Sequence, residues 1–206
     1  MKECCIFAGA KIENYSDIIV SNSSYIICAD GGYLHAKRLA ISPNVVIGDF
    51  DTISDEIIED CEIIKYPSKK NDTDTMLAIK LALDRNCRDI KIYGCVGGRL
   101  DHTIANIQSL VYIIEHGATA ALYGDNEIIT LLNNGKTKLK KLDGYYFSIF
   151  SYSEKCVGVT TSGTKYNLTD ATLNANFPLG VSNEILNDFC EIEVKTGILL
   201  IIFSKR

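Results

Sequence analysis

Short apolar runs recur through the first 125 residues, and each ends at a glycine, a proline or an aspartate. The six runs are residues 4–8, 25–29, 45–47, 63–66, 90–93 and 118–123. They are almost wholly apolar rather than alternating, which is typical of strands buried on both faces of a parallel sheet. Between them, residues 76–83 and 104–114 repeat apolar positions at helical spacing and predict helices. Strands that alternate with helices predict an α/β domain with an open, mainly parallel sheet.

The pattern changes near residue 126. Six further segments predict short strands, at residues 128–132, 137–140, 145–150, 157–161, 190–195 and 198–203. Asn133-Asn134-Gly135 predicts a turn between the first two, and Gly197 separates the last two. Frequent turns without a helical pattern are typical of an antiparallel sandwich. We therefore predict an α/β domain over residues 1–126 and an all-β sandwich domain over residues 127–206.

The distribution of charge excludes some partners. Residues 1–125 carry 12 basic and 18 acidic side chains, and the whole chain has a net charge of −5. Such a chain is a poor nucleic-acid binder, because affinity for phosphate backbones depends on clustered lysines and arginines. The longest apolar stretch is far shorter than the ~20 residues that span a bilayer, and no secretory cleavage pattern follows the N-terminal apolar run. We expect a cytoplasmic protein without nucleic-acid or membrane partners.

The eight cysteines add a second argument about location. None is spaced as CxxC, and the chain contains only three histidines, so the pattern does not predict a zinc or dithiol redox site. Most of them lie in apolar runs. We expect reduced core thiols that pack as small hydrophobic side chains.

Aspartates are concentrated between residues 30 and 101, a segment that contains ten of the fifteen in the chain. Six of them follow predicted strands: Asp30, Asp49, Asp51, Asp72, Asp74 and Asp101. Ligands of open α/β sheets bind beyond the carboxyl ends of the strands, so these side chains can converge on one crevice. Clustered carboxylates repel one another unless a cation neutralises them, and Mg²⁺ prefers oxygen ligands that it shares with phosphates. The cluster therefore predicts a metal–phosphate site. Taken singly, Asp72 or Asp74 can instead cap a helix, and residues 48–51 can form a turn.

Residues 94–102 join the fifth predicted strand to a predicted helix and read Gly-Cys-Val-Gly-Gly-Arg-Leu-Asp-His. Glycines let backbone N–H groups approach phosphate, and a helix N-terminus adds partial positive charge. Arg99 can offer a fork of donors to phosphate oxygens. The motif matches neither the dinucleotide-binding nor the P-loop pattern. A simple tight turn, with Asp101 as a helix cap and His102 packed against the sheet, is the alternative.

Several short motifs together resemble the thiamine pyrophosphokinase family. They are Asp30-Gly31-Gly32, Gly48-Asp49-Phe50-Asp51, Thr73-Asp74 and Gly97-Gly98-Arg99-Leu100-Asp101-His102, followed by residues 161–168 and 180–184. The resemblance covers essentially the whole chain. It implies an ATP- and Mg²⁺-binding α/β domain, a thiamine-binding β-sandwich, and a homodimer whose active sites lie between domains of different subunits. The implied reaction moves pyrophosphate from ATP to the hydroxyl of thiamine and gives thiamine diphosphate and AMP.

The resemblance also implies residue roles. The implied ligands of Mg²⁺ are Asp49, Asp51 and Asp74. The implied contacts with ATP are Asp30, Gly31, Gly32, Thr73, Gly97, Gly98, Arg99 and His102. The implied contacts with thiamine are Asp101, Ser182 and Asn183, the last two from the other subunit. Catalytic roles fall to Asp72, Arg99 and Asp101, and either Asp72 or Asp101 is a candidate to accept the hydroxyl proton.

The chain departs from the family pattern in two places. The family often reads Lys-Asp-x-Thr-Asp, whereas this chain reads Lys70-Asn71-Asp72-Thr73-Asp74, so Asn71 replaces an aspartate. The chain also has no tryptophan to stack on thiamine. Tyr166 is a candidate for that role, and a core aromatic of the sandwich is the alternative for the same residue.

Two rival functions remain open at this point. Residues 45–51 imitate the start of haloacid-dehalogenase-like phosphohydrolases, in which the first aspartate, here Asp49, is a nucleophile. Ile53 does not fit that motif, and the β-rich C-terminal part is unexplained by it. The second rival is a thiamine- or nucleotide-binding protein without catalysis, although such a protein has little need for so many clustered carboxylates.

Overall fold

The computed structural model describes residues 2–53, 60–69 and 71–206 of the chain. The chain divides into two compact units, Met1–Asp125 and Asn126–Arg206. Among the described residues, no helix has both the length and the apolar character needed to cross a membrane. All eight cysteines lie in the described part and are free thiols, and seven of them are buried.

The first unit is an α/β domain, as predicted. Its strands are β1 (Lys2–Phe7), β2 (Tyr25–Ala29), β3 (Val45–Gly48), β4 (Glu62–Lys65), β5 (Cys87–Tyr93) and β6 (Thr119–Tyr123). They form a sheet in the order β6-β5-β1-β2-β3-β4, and every pairing along it is parallel. The helices are α1 (Gly32–Arg38), α2 (Asp74–Asp84) and α3 (Leu100–Glu115). Helix α1 was not predicted, because its seven residues are too few to show a helical period.

The strand order creates a switch point beside β1. The chain runs outward from β1 through β2 and β3 to β4 and then returns to place β5 on the other side of β1. Loops that leave β1 and β5 therefore turn in opposite directions and leave a crevice at the carboxyl ends of these strands. The central strands are buried on both faces, which explains why their sequences are unbroken apolar runs.

Helix α1 packs tightly on β1 at Gly32. A Cβ atom built on this residue would lie 1.9 Å from the carbonyl oxygen of Phe7. No side chain fits there, so the glycine is needed for close contact between the helix and the strand. Gly32 therefore lies at the packing contact between α1 and β1.

The second unit is all β. Its strands are β7 (Glu127–Lys140), β8 (Tyr145–Ser151), β9 (Lys155–Ser162), β10 (Ala171–Asn174), β11 (Gly180–Asn183) and β12 (Phe189–Lys205). The long strand β12 pairs with β9 through residues 191–196 and with β8 through residues 199–205, and it pairs with β7 along both segments. Side chains from β8, β9, β10 and β12 share one hydrophobic core. The prediction of an all-β C-terminal part is confirmed.

Two local predictions for this unit are wrong. Asn133-Asn134-Gly135 does not form a turn but lies within the continuous strand β7. Residues 190–195 and 198–203 are likewise parts of one strand, β12. The register of β7 and β12 shifts where these segments meet, and Asn134, Gly135 and Gly197 have φ angles of 38°, 138° and 112°. Residues typical of turns therefore form an irregularity inside paired strands, as in a β-bulge.

We predict that Gly32→Ala destabilises the first unit. The new methyl group meets the Phe7 backbone, so the free energy of unfolding is expected to fall by about 1–3 kcal/mol, the usual cost of overpacking. Gly9→Ala is the matched control, since a Cβ there would be 3.8 Å from its nearest neighbour. Urea denaturation measures both variants. Equal stability of the two would contradict the packing explanation.

Candidate active site

A cavity of about 620 Å³ lies in the first unit. It is bounded by the carboxyl ends of β1, β2, β3 and β5 and by the start of α2. Ten of the predicted site residues line it: Asp30, Gly31, Asp49, Asp72, Thr73, Asp74, Gly97, Gly98, Arg99 and His102. The parallel sheet thus brings together motifs that are up to 72 positions apart in the chain. Gly32, Asp51 and Asp101 do not line the cavity, but each is adjacent in sequence to a residue that does.

Three carboxylates form a compact acidic group beside this cavity. Ligand oxygens of Asp30, Asp49 and Asp51 all lie within 4.8 Å of one another. Asp30 is 9% exposed, and its buried Oδ1 atom accepts no hydrogen bond from the residues that the structure describes. Asp30 follows β2 with a φ angle of 42°, and Phe50 turns the chain between the other two with a φ angle of 65°. These left-handed backbone conformations turn the chain so that the carboxylates of Asp30, Asp49 and Asp51 come together.

Gly48 brings Asp74 to the same place. A Cβ atom on Gly48 would lie 3.0 Å from Cβ of Asp30 and 3.2 Å from Oδ1 of Asp74. The missing side chain therefore leaves the space in which the carboxyl groups from β2 and α2 approach each other. The predicted metal ligands were Asp49, Asp51 and Asp74 with Asp30 nearby, whereas the geometry groups Asp30 with Asp49 and Asp51 and places Asp74 next to Gly48.

The donor set fits a hard divalent cation. Every ligand atom in the acidic group is a carboxylate oxygen, which is the donor type that Mg²⁺ binds. Three negative charges at this separation repel one another unless a cation is present. A bound cation would also give the buried Oδ1 atom of Asp30 a partner. These residues would hold Mg²⁺, with Asp74 close to them.

The start of α2 is capped by Thr73. Its side-chain oxygen accepts a hydrogen bond from the backbone N–H of Met76 at 3.1 Å, and the helix begins at Asp74. The alternatives in which Asp72 or Asp74 caps the helix are therefore wrong. Asp72 instead accepts a hydrogen bond from Nζ of Lys80 at 2.7 Å, and this contact raises the pKa of Lys80. Lys70, the first residue of this motif, lies outside the described residues.

The glycine-rich turn forms another wall. Gly97 and Gly98 have φ angles of 90° and 66°, and a Cβ atom on either would meet nothing within 4 Å. Their requirement for glycine is therefore conformational and leaves the backbone open to a ligand. Asn106 also lines the cavity and was not among the residues predicted from the sequence. It is buried on α3, and its Nδ2 donates to the Cys95 carbonyl oxygen at 2.7 Å. A polar residue beside the apolar face of α3 was the only sign of this role.

Arg99 and Asp101 bind each other at the mouth of this turn. Nε of Arg99 donates to Oδ1 of Asp101 at 3.2 Å, and a second guanidinium nitrogen donates to Oδ2. The backbone N–H of His102 donates to Oδ1 at 3.0 Å. The guanidinium hydrogen bonds are the main cause of the lowered pKa of Asp101. Both candidates for the proton acceptor, Asp72 and Asp101, are thus paired with cationic side chains.

The loop after β1 is fixed by a buried histidine. Nε2 of His35 lies 2.9 Å from the carbonyl oxygen of Ala10, and its Nδ1 lies 2.7 Å from the hydroxyl of Tyr15. A carbonyl oxygen only accepts, so Nε2 carries the proton and Nδ1 accepts from the tyrosine. Burial is the main cause of the lowered pKa of His35, and the charge of Arg38 adds to it. The neutral ring therefore holds Ala10, which lines the cavity.

Two predicted thiamine contacts lie in the second unit. Ser182 is exposed and has a φ angle of 56°, and its backbone N–H donates to Ser148. Asn183 is buried, and its side chain accepts from the backbone N–H groups of Tyr166 and Glu184 and donates to the Tyr166 carbonyl. The amide of Asn183 is thus used to hold the segment that carries Tyr166. Tyr166 itself is 61% exposed, so the alternative of a core aromatic is wrong.

Comparison with known proteins places these features in one family. The model described as "Thiamin pyrophosphokinase, catalytic domain" matches residues 17–122, which is half of the chain, and the one described as "Thiamin pyrophosphokinase, vitamin B1 binding domain" matches residues 136–199. The chain belongs to the thiamine pyrophosphokinase family. The resemblance predicted from the sequence motifs is therefore confirmed.

Individual relatives extend the match across both units. A thiamine pyrophosphokinase of Bacillus subtilis is 29% identical over 184 residues, which cover 86% of each chain. Its counterpart among solved structures, also from Bacillus subtilis, superposes with a TM-score of 0.91 at 26% identity and covers 99% of each chain. A thiamin pyrophosphokinase family protein from Enterococcus faecalis has a TM-score of 0.87 at 25% identity over the full length of both chains. These family members share the fold of both units.

We predict that Mg²⁺ stabilises the protein through the acidic group. Saturating Mg²⁺ is expected to raise the free energy of unfolding by about 2–3 kcal/mol, the value for a ligand near 100 times its dissociation constant. Asp30→Asn removes one of three repelling charges, so this variant is expected to be more stable than the wild type in EDTA and to gain less from Mg²⁺.

Thermal unfolding with and without Mg²⁺ measures these effects. Asp84→Asn is the control, because it removes a carboxylate at the opposite end of α2 from the cavity. An equal Mg²⁺-induced shift in the Asp30 variant and in the control would exclude Asp30 as a ligand.

The buried His35 gives stability a pH dependence. Its pKa is lowered in the folded protein from an ordinary value of 6.5, so the unfolded chain binds the proton first as the pH falls. Stability from the neutral ring is therefore complete above about pH 6.5 and decreases below it. His35→Gln keeps an amide donor but does not titrate, and we expect its melting temperature to fall less between pH 7.5 and pH 5.5. Parallel pH profiles of the two proteins would contradict this assignment.

Proposed function

We propose that the protein transfers the pyrophosphoryl group of ATP to the hydroxyl of thiamine and releases AMP, with Mg²⁺ as the metal. The observation that carries the proposal is that one cavity is lined by Asp30 and Asp49 of the acidic group and also by the glycine-rich turn and Arg99. Carboxylates suit a divalent cation, and a glycine turn with an arginine suits phosphate oxygens. Membership of the thiamine pyrophosphokinase family supports the choice of donor and acceptor.

The proposed chemistry is one displacement at phosphorus. The hydroxyl oxygen of thiamine forms a bond to the β-phosphorus of ATP, and the bond from that phosphorus to the oxygen bridging to the α-phosphate breaks. AMP leaves with this oxygen. When bound, Mg²⁺ neutralises part of the charge on the phosphate oxygens. Asp30, Asp49 and Asp51 would hold it, with Asp74 beside them.

The protein contributes mainly orientation and fixed charge. Backbone N–H groups of Gly97 and Gly98 and the guanidinium of Arg99 are positioned to offset negative charge on the transferred group. Arg99 and Asp101 form an exposed ion pair of a kind that contributes little to stability, so the guanidinium can also bind a phosphate oxygen. His102 and Thr73 complete the nucleotide contacts that we propose, together with Gly31.

The hydroxyl proton has two candidate acceptors. Asp72 lines the cavity but is bound by Lys80, and Asp101 is bound by Arg99. Because the Arg99 guanidinium lowers the pKa of Asp101, this carboxylate is a weak base, which argues for a late proton transfer to it when the oxygen–phosphorus bond is largely formed. We therefore propose that positioning, rather than strong general-base catalysis, is the main contribution of these two residues.

The thiamine site and the assembly are part of the same proposal. We assign ATP and Mg²⁺ to residues 1–126 and thiamine to residues 127–206 of a second subunit, so that two chains form a homodimer with shared active sites. The exposed positions of Tyr166 and Ser182 support contact with a ligand or partner, and Phe177, Leu179 and Val181 are exposed large apolar side chains on the same unit. A reducing, cytoplasmic location agrees with eight free cysteines.

A product assay tests the reaction. Purified protein is incubated with thiamine, ATP and Mg²⁺, and AMP and thiamine diphosphate are quantified in the same sample with an EDTA control. Equal amounts of both products that disappear in EDTA are expected. Thiamine monophosphate with ADP would indicate a simple kinase, and free phosphate without a thiamine product would favour the phosphohydrolase. Thiamine or nucleotide binding without turnover would favour the non-catalytic alternative.

We predict that Asp51→Asn lowers turnover by orders of magnitude and leaves the fold intact. Asp51 is outside the hydrophobic core, and its Oδ1 accepts from Thr52 at 3.1 Å, so the neutral amide can keep this local contact while losing the charge that holds the metal. The rate of AMP release at saturating Mg²⁺ is the measurement, with Asp84→Asn as the control that keeps wild-type turnover. Normal turnover of Asp51→Asn would remove this residue from the metal site.

A further inference from the structure

The cavity of the first unit has a polarised lining. Its acidic side is formed at the ends of β2 and β3 by Asp30 and Asp49. The cationic side lies at the ends of β1 and β5, where Lys11 and Arg99 face the cavity. A magnesium–polyphosphate ligand requires both kinds of surface, because the metal and the remaining phosphate charge need opposite partners. Lys11 was not among the residues predicted from the sequence.

Lys11 lies at the switch point of the sheet. Strands β1 and β5 are neighbours, and their following loops are the two sides of the crevice. The backbone N–H of Ala10 donates to the carbonyl oxygen of Gly94 at 2.8 Å, so the β1 loop is attached directly to the glycine-rich turn. Lys11, which lines the cavity, therefore directly follows a residue that is bonded to the turn that we assign to phosphate.

The loop that carries Lys11 is held at three points. Ala10 is fixed on one side by Gly94 and on the other by the ring of His35. Beyond the lysine, the carboxylate of Asp125 accepts hydrogen bonds from the backbone N–H groups of Glu13 and Asn14 at 3.0–3.1 Å. These anchors hold the segment on both sides of Lys11 in place. His35 is in this arrangement a positioning residue for the segment next to Lys11.

We propose that Lys11 binds a phosphate group of the nucleotide on the side of the crevice opposite the acidic group. The proposal rests on the function proposed above and adds a cationic contact to it. Lysine supplies a compact charge with three donors, which suits a non-bridging phosphate oxygen. The contact distinguishes ATP from an uncharged nucleoside and does not involve the thiamine side of the reaction.

The present partner of Lys11 does not oppose this role. Its Nζ atom lies 2.6 Å from a carboxylate oxygen of Glu13, and the two side chains are 79% and 66% exposed. Exposed ion pairs of this kind contribute little to stability, so the ammonium group can exchange Glu13 for a phosphate oxygen. Glu13 therefore competes with the nucleotide, and its removal does not weaken binding.

Calorimetric titration with MgATP, in the absence of thiamine, tests the proposal. Lys11→Ala is expected to weaken ATP binding by about tenfold or more, the loss that follows when a hydrogen bond between charged groups is removed. Binding of adenosine is expected to be unchanged. Glu13→Ala is expected to bind ATP as tightly as the wild type or more tightly, and Lys11→Arg is expected to recover most of the affinity.

Lys140→Ala is the charge-matched control, because Lys140 is an exposed lysine of β7 in the second unit. Circular dichroism and thermal unfolding establish that each variant is folded. Wild-type affinity of Lys11→Ala for MgATP, or equal loss of ATP and adenosine binding, would overturn the role of Lys11. A wild-type protein that binds no ATP would instead refute the proposed function. Wild-type ATP binding and turnover with an unaffected Lys11 variant would refute only this inference.

A steady-state experiment gives a second readout. Lys11→Ala is expected to raise the KM for ATP about tenfold or more, with little change in the KM for thiamine, since the lost contact belongs to the nucleotide. His35→Leu, which removes both ring hydrogen bonds, is expected to raise the same KM less than Lys11→Ala does. His35→Gln retains an amide donor for Ala10 and is expected to recover part of that loss. Equal KM values for ATP in all variants would contradict both the contact and its positioning.

Discussion

Repulsion among close carboxylates is the constraint on which the first unit depends. Asp30, Asp49 and Asp51 bring three negative charges within a few ångströms of one another, and Asp30 is nearly buried. Such an arrangement costs free energy unless a bound cation offsets the repulsion. The parallel sheet supplies the rigid frame that keeps these charges together, since each acidic loop is anchored at the end of a buried strand. The stability of the sheet therefore offsets the repulsion among the carboxylates.

Backbone conformation, more than side-chain packing, shapes the cavity. Residues with positive φ occur after β2 at Asp30, within the acidic loop at Phe50, and in the turn at Gly97 and Gly98. Non-glycine residues in this region are costly, and they persist where the surrounding structure forces them. At Asp30 the backbone N–H donates to the carbonyl oxygen of Ile47, which ties this turn to the neighbouring strand. The turns at Asp30 and Phe50 thus orient carboxylate side chains, whereas the turn at Gly97 and Gly98 exposes backbone groups.

Much of this architecture could be predicted from the sequence, because the relevant forces act locally. Unbroken apolar runs identified all six strands of the parallel sheet, and the positions of aspartates relative to those runs predicted that they would converge. Helix α1 escaped prediction, since it is short and its start at Gly32 is set by contact with the Phe7 backbone. The single strand β12 was interpreted as two strands because Gly197 is typical of turns, yet tertiary pairing with β7 keeps the chain extended.

The site was predictable to a similar degree. Motif residues that line the cavity were identified from their order and spacing. Lys11, His35 and Asn106 were not identified. His35 and Asn106 act through hydrogen bonds to residues 25 and 11 positions away, and Lys11 is recognised only as part of the cavity lining. The N-cap of α2 shows the same limit: three adjacent polar residues could each cap the helix, and only the structure selects Thr73.

The long strand β12 has a consequence for the order of events during synthesis. The six strands of the first unit have all been made once Tyr123 has, so their pairings with one another can form while the rest of the chain is still being translated. The second unit has none of its central pairings until residues 189–205 emerge, because β7, β8 and β9 all pair with β12. Until then, β7, β8 and β9 each have an unpaired edge, and unpaired edges make a partly folded chain prone to misassembly. Early folding of one half and late closure of the other are thus built into the connectivity.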